Sequence, residues 1–307
     1  MIGLISSEWL RMRSRRLVKV LAVLALLGIV AAVVIGVVQS ELPSERDLAR
    51  AERQAEREVA NCIAQDAYGQ EAPGGDVEAL CREFIDQSVF LAEQPLRLSE
   101  LPDILRGTAF VAILIGLVIG ASAVGASWQT GTMTTILTWE PRRTRVALVR
   151  AAVFALGTVA LIAVLFALFA GLFFVATTLR GLTATPDGWA RELVGVAARV
   201  SALAGAASII GGAIAMLGRN SAAALGGVFV YLSVLEGIVR GLRPAIGRFL
   251  LGDNIVSVLI GDDITIVDEA GTTIATVTPS HAAVVVAIYT LGLLTVATAS
   301  FRVRDVQ

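Results

Sequence analysis

The chain has 307 residues, 56 % of them hydrophobic and only 17 % charged, with a formal net charge of −1 and a mean hydropathy of +0.76. A soluble domain carries about a quarter charged residues. Here the charges collect between apolar runs that reach the roughly 20 residues a helix needs to cross a bilayer, which excludes a soluble globular fold and offers no basic surface for nucleic acid. Runs such as Ile113–Ile119 do not alternate apolar with polar residues, which excludes an outer-membrane barrel. Backbone groups in lipid must pair within their own segment, so each run reads as a helix.

The segment Met1–Arg16 places Ile2, Ile5, Trp9 and Met12 at helical spacing, followed by Arg11, Arg13, Arg15 and Arg16. This pattern predicts an amphipathic helix in the membrane interface, anchored by Trp9. An ordinary basic flank accounts for the arginines but not for the Trp and Ile stripe. The first span, Leu17–Val38, is longer than the roughly 7–15 residues of a signal-peptide core and reads as a retained helix.

Residues 39–106 form a long loop. From Ser44 to Glu58 it is rich in helix formers, with Glu52, Arg53, Glu56 and Arg57 interleaved. A second helical stretch runs from about Asp76 to Glu93, after the breaker Pro73-Gly74-Gly75. The chain's two cysteines, Cys62 and Cys81, both lie in this loop. An extracytoplasmic loop is in an oxidising compartment, which favours a disulfide pinning the two helices over two buried thiols.

The second span is Gly107–Ala126, followed by an inner loop over 127–145. In that loop Thr130 or Thr132 can cap a short helix, and Pro141 ends it by forcing Glu140 out of the helical region. The third span, Val146–Ala176, exceeds the bilayer requirement and must tilt or project. An outer loop (177–192), the fourth span Leu193–Leu217, an inner turn (218–220) and the fifth span Ser221–Ile238 follow.

In the outer loop 239–281, Arg240–Ile260 reads as an amphipathic or re-entrant helix broken at Pro244. Next, Ile264–Val267 and Thr272–Val277 flank Asp268–Gly271 in a β-hairpin pattern. The sixth span is Ala282–Phe301, leaving a tail over 302–307. Small residues recur at four-residue spacing in Gly28/Ala32/Gly36, Gly116/Gly120, Ala222/Gly226 and Ala223/Gly227, which suits close helix packing.

Basic residues set the orientation. Arg11, Arg13, Arg15, Arg16, Lys19, Arg142, Arg143, Arg145, Arg150, Arg219, Arg302 and Arg304 fall on one side, and most acids fall on the other. The expectation is an all-α polytopic protein of the cytoplasmic (inner) membrane. It has six transmembrane helices, both termini in the cytoplasm, a helical extracytoplasmic cap and a small β-hairpin in the third outer loop.

A P-loop needs a glycine loop ending in Lys-Ser/Thr. The only lysine, Lys19, sits between Val18 and Val20, so the chain has no such ATPase site. The single histidine, His281, reads as a helix-start residue. Two ionisable residues fall inside spans and are candidates for a membrane polar site. Arg199 can snorkel outward, and Glu236 has Arg240 one turn on. The spans otherwise read as free of charge, which disfavours an ion pathway or an embedded enzyme and suits a lipid-like or amphipathic substrate.

The inner loop carries a resemblance. Gly131-Thr132, Leu137, Pro141 and Arg143 resemble the coupling loop of type-2 ABC transporter permease subunits. Glu8 with Arg11, Arg15 and Arg16 resembles the amphipathic elbow of that family. Phe301-Arg302-Val303-Arg304-Asp305-Val306 resembles the ending common in actinobacterial members, and Gln129 stands where an acidic residue often precedes the Gly-Thr.

The resemblance implies a non-catalytic subunit of an exporter for a lipid-like, peptide or drug-like substrate. Gln129, Gly131, Thr132, Leu137, Glu140, Pro141, Arg142 and Arg143 would form the coupling helix, seated on a separate ATPase subunit that binds ATP and Mg. A second permease copy, or a homologous one, would complete the transporter. The long outer loop would gate exit or bind an extracytoplasmic partner. The alternative is a scaffold that passes ATPase motion outward without transport.

Overall fold

The computed structural model describes residues 2–40, 44–65, 77–85, 90, 95–267 and 272–303. The chain is an all-α, multi-pass membrane protein. Among the described residues, six helices are long and apolar enough to cross a bilayer: Arg16–Gln39, Leu98–Gln129, Arg143–Arg180, Trp189–Gly218, Ser221–Leu242 and Pro279–Val303. The chain divides into two compact units. The first comprises residues 1–27, 101–168 and 187–307, and the second comprises 28–100 and 169–186.

In the first unit, helix α1 (Ile2–Ser14) precedes α2 (Arg16–Gln39), which leaves this unit after Leu27. Farther along come α5 (Leu101–Gln129), the short α6 (Thr132–Trp139), α7 (Arg143–Arg180), which leaves this unit after Leu168, and α8 (Trp189–Gly218). The fifth span is interrupted: α9 (Ser221–Val230) passes through a π turn at Tyr231–Leu235 into α10 (Glu236–Leu242). Pro244 then starts a 3-10 turn to Phe249, which leads to the short apolar helix α11 (Leu251–Ile260) and finally to α12 (Pro279–Val303).

The centre of this unit is the parallel pair α5 and α8. In lipid, helices gain nothing from hiding apolar surface and associate through close packing instead. Gly116 lies against the Ala204 backbone and Gly120 against the Ser208 backbone, so tightly that neither position has room for a methyl group. Of the four small-residue repeats in the sequence, this is the one that brings two backbones together. Gly28 and Gly226 have open space beside them, and Gly227 makes only a distant contact with Ile214.

Below that seam, Ala121, Val124, Met133, Ala147, Ala213, Met216, Ala224, Ala297 and Phe301 form a buried cluster under α6. Strands β3 (Ile264–Val267) and β4 (Thr273–Val277) pair antiparallel with Ile264 opposite Val277. The expected turn over Asp268–Gly271 lies outside the described residues.

In the second unit, α3 (Glu45–Ala64) begins at Ser44, whose hydroxyl and backbone complete a capping box with Asp47. That hydrogen bonding holds the Asp47 carboxyl below its ordinary pKa. Helix α4 spans Val77–Phe84, ending well before the expected Glu93. Residues 86–89 and 91–94, and the breaker Pro73–Gly75, lie outside the described residues. A disulfide joins Cys62 to Cys81, with Cα atoms 6.1 Å apart. Ser40 Oγ accepts from the Leu96 amide (2.9 Å) and donates to the Arg180 carbonyl (3.1 Å), beside the two-residue parallel ladder of β1 (Leu96–Arg97) and β2 (Gly181–Leu182).

Candidate functional site

The end of the first unit that carries α6 gathers the features of the inner loop. Helix α5 stops at Gln129, and Gly131 adopts φ +66°, a left-handed turn that a residue with a Cβ resists. Gly131, rather than Thr130 or Thr132, is the N-cap of α6, and no side chain caps it. The threonines are engaged elsewhere: Thr130 Oγ1 donates back to the Ala126 carbonyl, and it lies 2.7 Å from Thr132 Oγ1. At the other end Glu140 is extended (φ −128°, ψ 96°), as the following Pro141 requires.

Helix α6 is two-faced. Met133 and Ile136 are buried, and Leu137 packs on the same cluster. The opposite face exposes Thr134, Thr135, Thr138 and Trp139, flanked by Gln129, Gly131, Pro141 and Arg142. Trp139 is 88 % exposed, the largest apolar side chain on this face.

The remaining loop residues turn inward. Glu140 pairs with Arg145 at 3.4 Å, and Arg143 donates to the Phe301 carbonyl at 3.3 Å. Trp128 meets Phe301 edge-on at 5.9 Å, and the Arg219 guanidinium lies 5.0 Å from the Trp128 ring. The eight residues expected to couple therefore divide. Gln129, Gly131, Pro141 and Arg142 are presented outward; Thr132 and Glu140 are half-buried; Leu137 and Arg143 tie the loop to the helices behind it.

Behind α6 lies a buried ionic latch. Glu8 and Arg150 are each only 1 % exposed, and Arg150 Nε donates to Glu8 Oε2 at 3.3 Å. Arg150 Nη2 also donates to Ser127 Oγ at 3.0 Å, and its Nη1 lies 3.7 Å from Met133 Sδ. One guanidinium thus joins α1, α5, α6 and α7. Arg11 gives Glu8 a second partner at 3.4 Å.

Arg15 donates from both terminal nitrogens to the carbonyls of Ser122 and Ala123, at 3.1 and 3.0 Å, and its guanidinium stands 5.6 Å from the Phe154 ring. Burial, followed by the nearby charge of Arg150, lowers the Arg15 pKa. Met12 is buried, and together with Trp9 it fills the notch left by Gly157.

This latch corrects one sequence expectation. Arg150 stands four residues inside the run Val146–Ala176, so that span is not free of charge. Of the apolar stripe on α1, Ile5 and Trp9 are exposed and Met12 is buried, beside the buried Glu8. The available signal was a lone acid, Glu8, among basic neighbours, with an arginine beyond the end of a basic loop.

The two flagged membrane residues serve a different element. Both Glu236 carboxylate oxygens accept from the Gly252 amide at 3.1 Å, at the start of α11. Arg199 donates to the Ile260 carbonyl (3.4 Å) at its end. A negative charge at the N-terminus and a positive charge at the C-terminus complement the helix dipole. Arg240, one turn beyond Glu236, pairs with Asp253 at 2.6 Å. Burial raises the Asp253 pKa, and Arg240 partly offsets this. His281 stands at the start of α12, with Nε2 3.0 Å from the Arg248 carbonyl.

Comparison with family models, with curated proteins and with solved structures finds no match to this chain.

Proposed function

We propose that the chain is the membrane-spanning permease subunit of an ATP-binding cassette exporter, with α6 as the lever on which a separate ATPase subunit pushes. The observation that carries this reading is the construction of α6. It is a short, stiff helix with a bare aromatic side chain on its free face, and its other face is bolted to the spans. Trp139 suits such a contact, because aromatic side chains are the favoured anchors of protein interfaces.

The basic residues around α6 support a cytoplasmic side for this end and for both termini, in a cytoplasmic membrane. ATP and Mg bind in the partner, and this chain hydrolyses nothing itself. Motion delivered to α6 reaches α5 and α7 through Met133 and Arg150, and reaches α1 through Glu8. A second copy, or a homologous permease, completes the path for a lipid-like, peptide or drug-like substrate. The span between Cys62 and Cys81 supports a second reading, because a cross-linked extracytoplasmic segment also suits a scaffold that passes ATPase motion to an outside partner.

Reconstitution with the ATPase subunit tests both readings. Gly131→Trp, Pro141→Leu and Trp139→Ala should each insert normally yet lose substrate-linked ATP turnover. Retention of full coupled activity by all three removes the lever assignment. ATP turnover without efflux or lipid release in the wild type selects the scaffold.

A further inference from the structure

At the end of the first unit away from α6, the heads of α5 and α8 and the turn after α11 enclose an open groove of about 800 Å³. Arg106 lines it but is already neutralised, held by Asp103 and by Glu192 at 2.5 Å. Two further arginines on the same wall, Arg191 and Arg199, have no carboxylate partner among the described residues. Arg199 spends one nitrogen on the Ile260 carbonyl, and its Nε is buried with no hydrogen-bond partner. Gly188, the N-cap of α8, also lines the groove and supplies no side chain to the first amides of that 30-residue helix.

We propose that this groove binds the phosphodiester of a phospholipid headgroup, with Arg191 and Arg199 as its ligands. Guanidinium groups match phosphate oxygens in geometry and charge, and the uncapped start of α8 adds favourable positive potential. Asp262 on the facing rim suits the ammonium of an ethanolamine head. The lipid source is chosen because apolar side chains flank the charged wall. Val194, next to the groove residues of α8, is 68 % exposed, and Phe110, one turn beyond Arg106 on α5, is 74 % exposed. They offer acyl chains a surface below the headgroup. Gly195 lines the groove with open space beside it, so no side chain obstructs the wall between Arg191 and Arg199. The inference stands on the groove alone and does not require the exporter reading.

Native mass spectrometry of the delipidated full chain in detergent tests it. The probes are dioctanoyl phosphatidylethanolamine, soluble glycerophosphoethanolamine, and dioctanoylglycerol, which lacks phosphate. The phospholipid should bind at least about tenfold more tightly than dioctanoylglycerol. Arg191→Gln with Arg199→Gln should reduce that preference to about twofold or less.

Gly195→Trp blocks the groove without removing charge or the Arg199 contact to α11, and should have the same effect if the double variant fails to fold. Equal binding of glycerophosphoethanolamine identifies a soluble phosphodiester as the source and retains the site. Equal binding of dioctanoylglycerol and phospholipid overturns the proposal. So does unchanged phospholipid affinity in Gly195→Trp.

Discussion

Replacing Glu8 with Gln leaves the Arg150 guanidinium buried among Ser127, Met133 and two other arginines, with no counter-charge. The magnitude follows from the geometry. At 3.3 Å and an effective dielectric of about 20, the pair attracts by about 5 kcal/mol. Removing one member of a buried pair costs about 3–5 kcal/mol, while replacing both with apolar residues is often neutral. The environment makes the two halves unequal: without Glu8, the charges of Arg11, Arg15 and Arg150 face one another, whereas without Arg150, Glu8 keeps Arg11 at 3.4 Å.

Glu8→Gln should therefore cost about 4 kcal/mol and Arg150→Met about 2–3 kcal/mol. The combination Glu8→Met with Arg150→Met should cost less than the sum of the single changes by at least about 2 kcal/mol. Thermal and denaturant unfolding of the detergent-solubilised chain measures all of these. Additive single changes, or a Glu8→Gln variant as stable as wild type, would refute the latch.

Gly120→Leu should fail to bring α5 against α8, because its Cβ meets the Ser208 backbone rather than a movable side chain. The expected loss is at least about 3 kcal/mol in unfolding, against under about 1 kcal/mol for Gly28→Leu in open space. The Cys62–Cys81 bond closes a separation of 19 residues, and the chain-entropy relation assigns it about 3 kcal/mol. Cys62→Ala should abolish the mobility shift on non-reducing gels and increase proteolysis between α3 and α4, while hydrogen exchange at α5 and α8 stays unchanged. Glu236→Ala should release the start of α11, raising hydrogen exchange at Leu251–Ile260 by tenfold or more, an opening cost of about 1–2 kcal/mol. Unchanged exchange there would remove Glu236 from that role.

The apolar runs are plain in the sequence because a bilayer demands uninterrupted length, and no tertiary contact can substitute for it. The end of α6 is plain as well, since Pro141 dictates the backbone of Glu140 through a local clash. The start of α6 is less so. Thr130 and Thr132 are ordinary capping residues, but a left-handed Gly131 turned the chain first and left their hydroxyls to the preceding helix and to each other.

Long-range pairing is the hardest to read. Glu8 and Arg150 are 142 positions apart, and Arg150 sits so close to Arg142, Arg143 and Arg145 that it resembles one more flanking charge. Arg199 and Glu236 stand out as charges within apolar runs, but only the fold shows that they hold opposite ends of α11. The Gly116/Gly120 repeat reads no differently from Gly28/Ala32/Gly36. Which repeat faces another backbone depends on what packs beside it.

The central claim is that the exposed face of α6 receives a nucleotide-hydrolysing partner. A photoreactive phenylalanine analogue in place of Trp139, irradiated in native membranes, tests it most directly. The account predicts a covalent adduct with a P-loop ATPase subunit that is lost when Gly131→Trp is added. An adduct with lipid alone, or reaction at position 139 with a membrane-impermeant reagent added from outside, would contradict it.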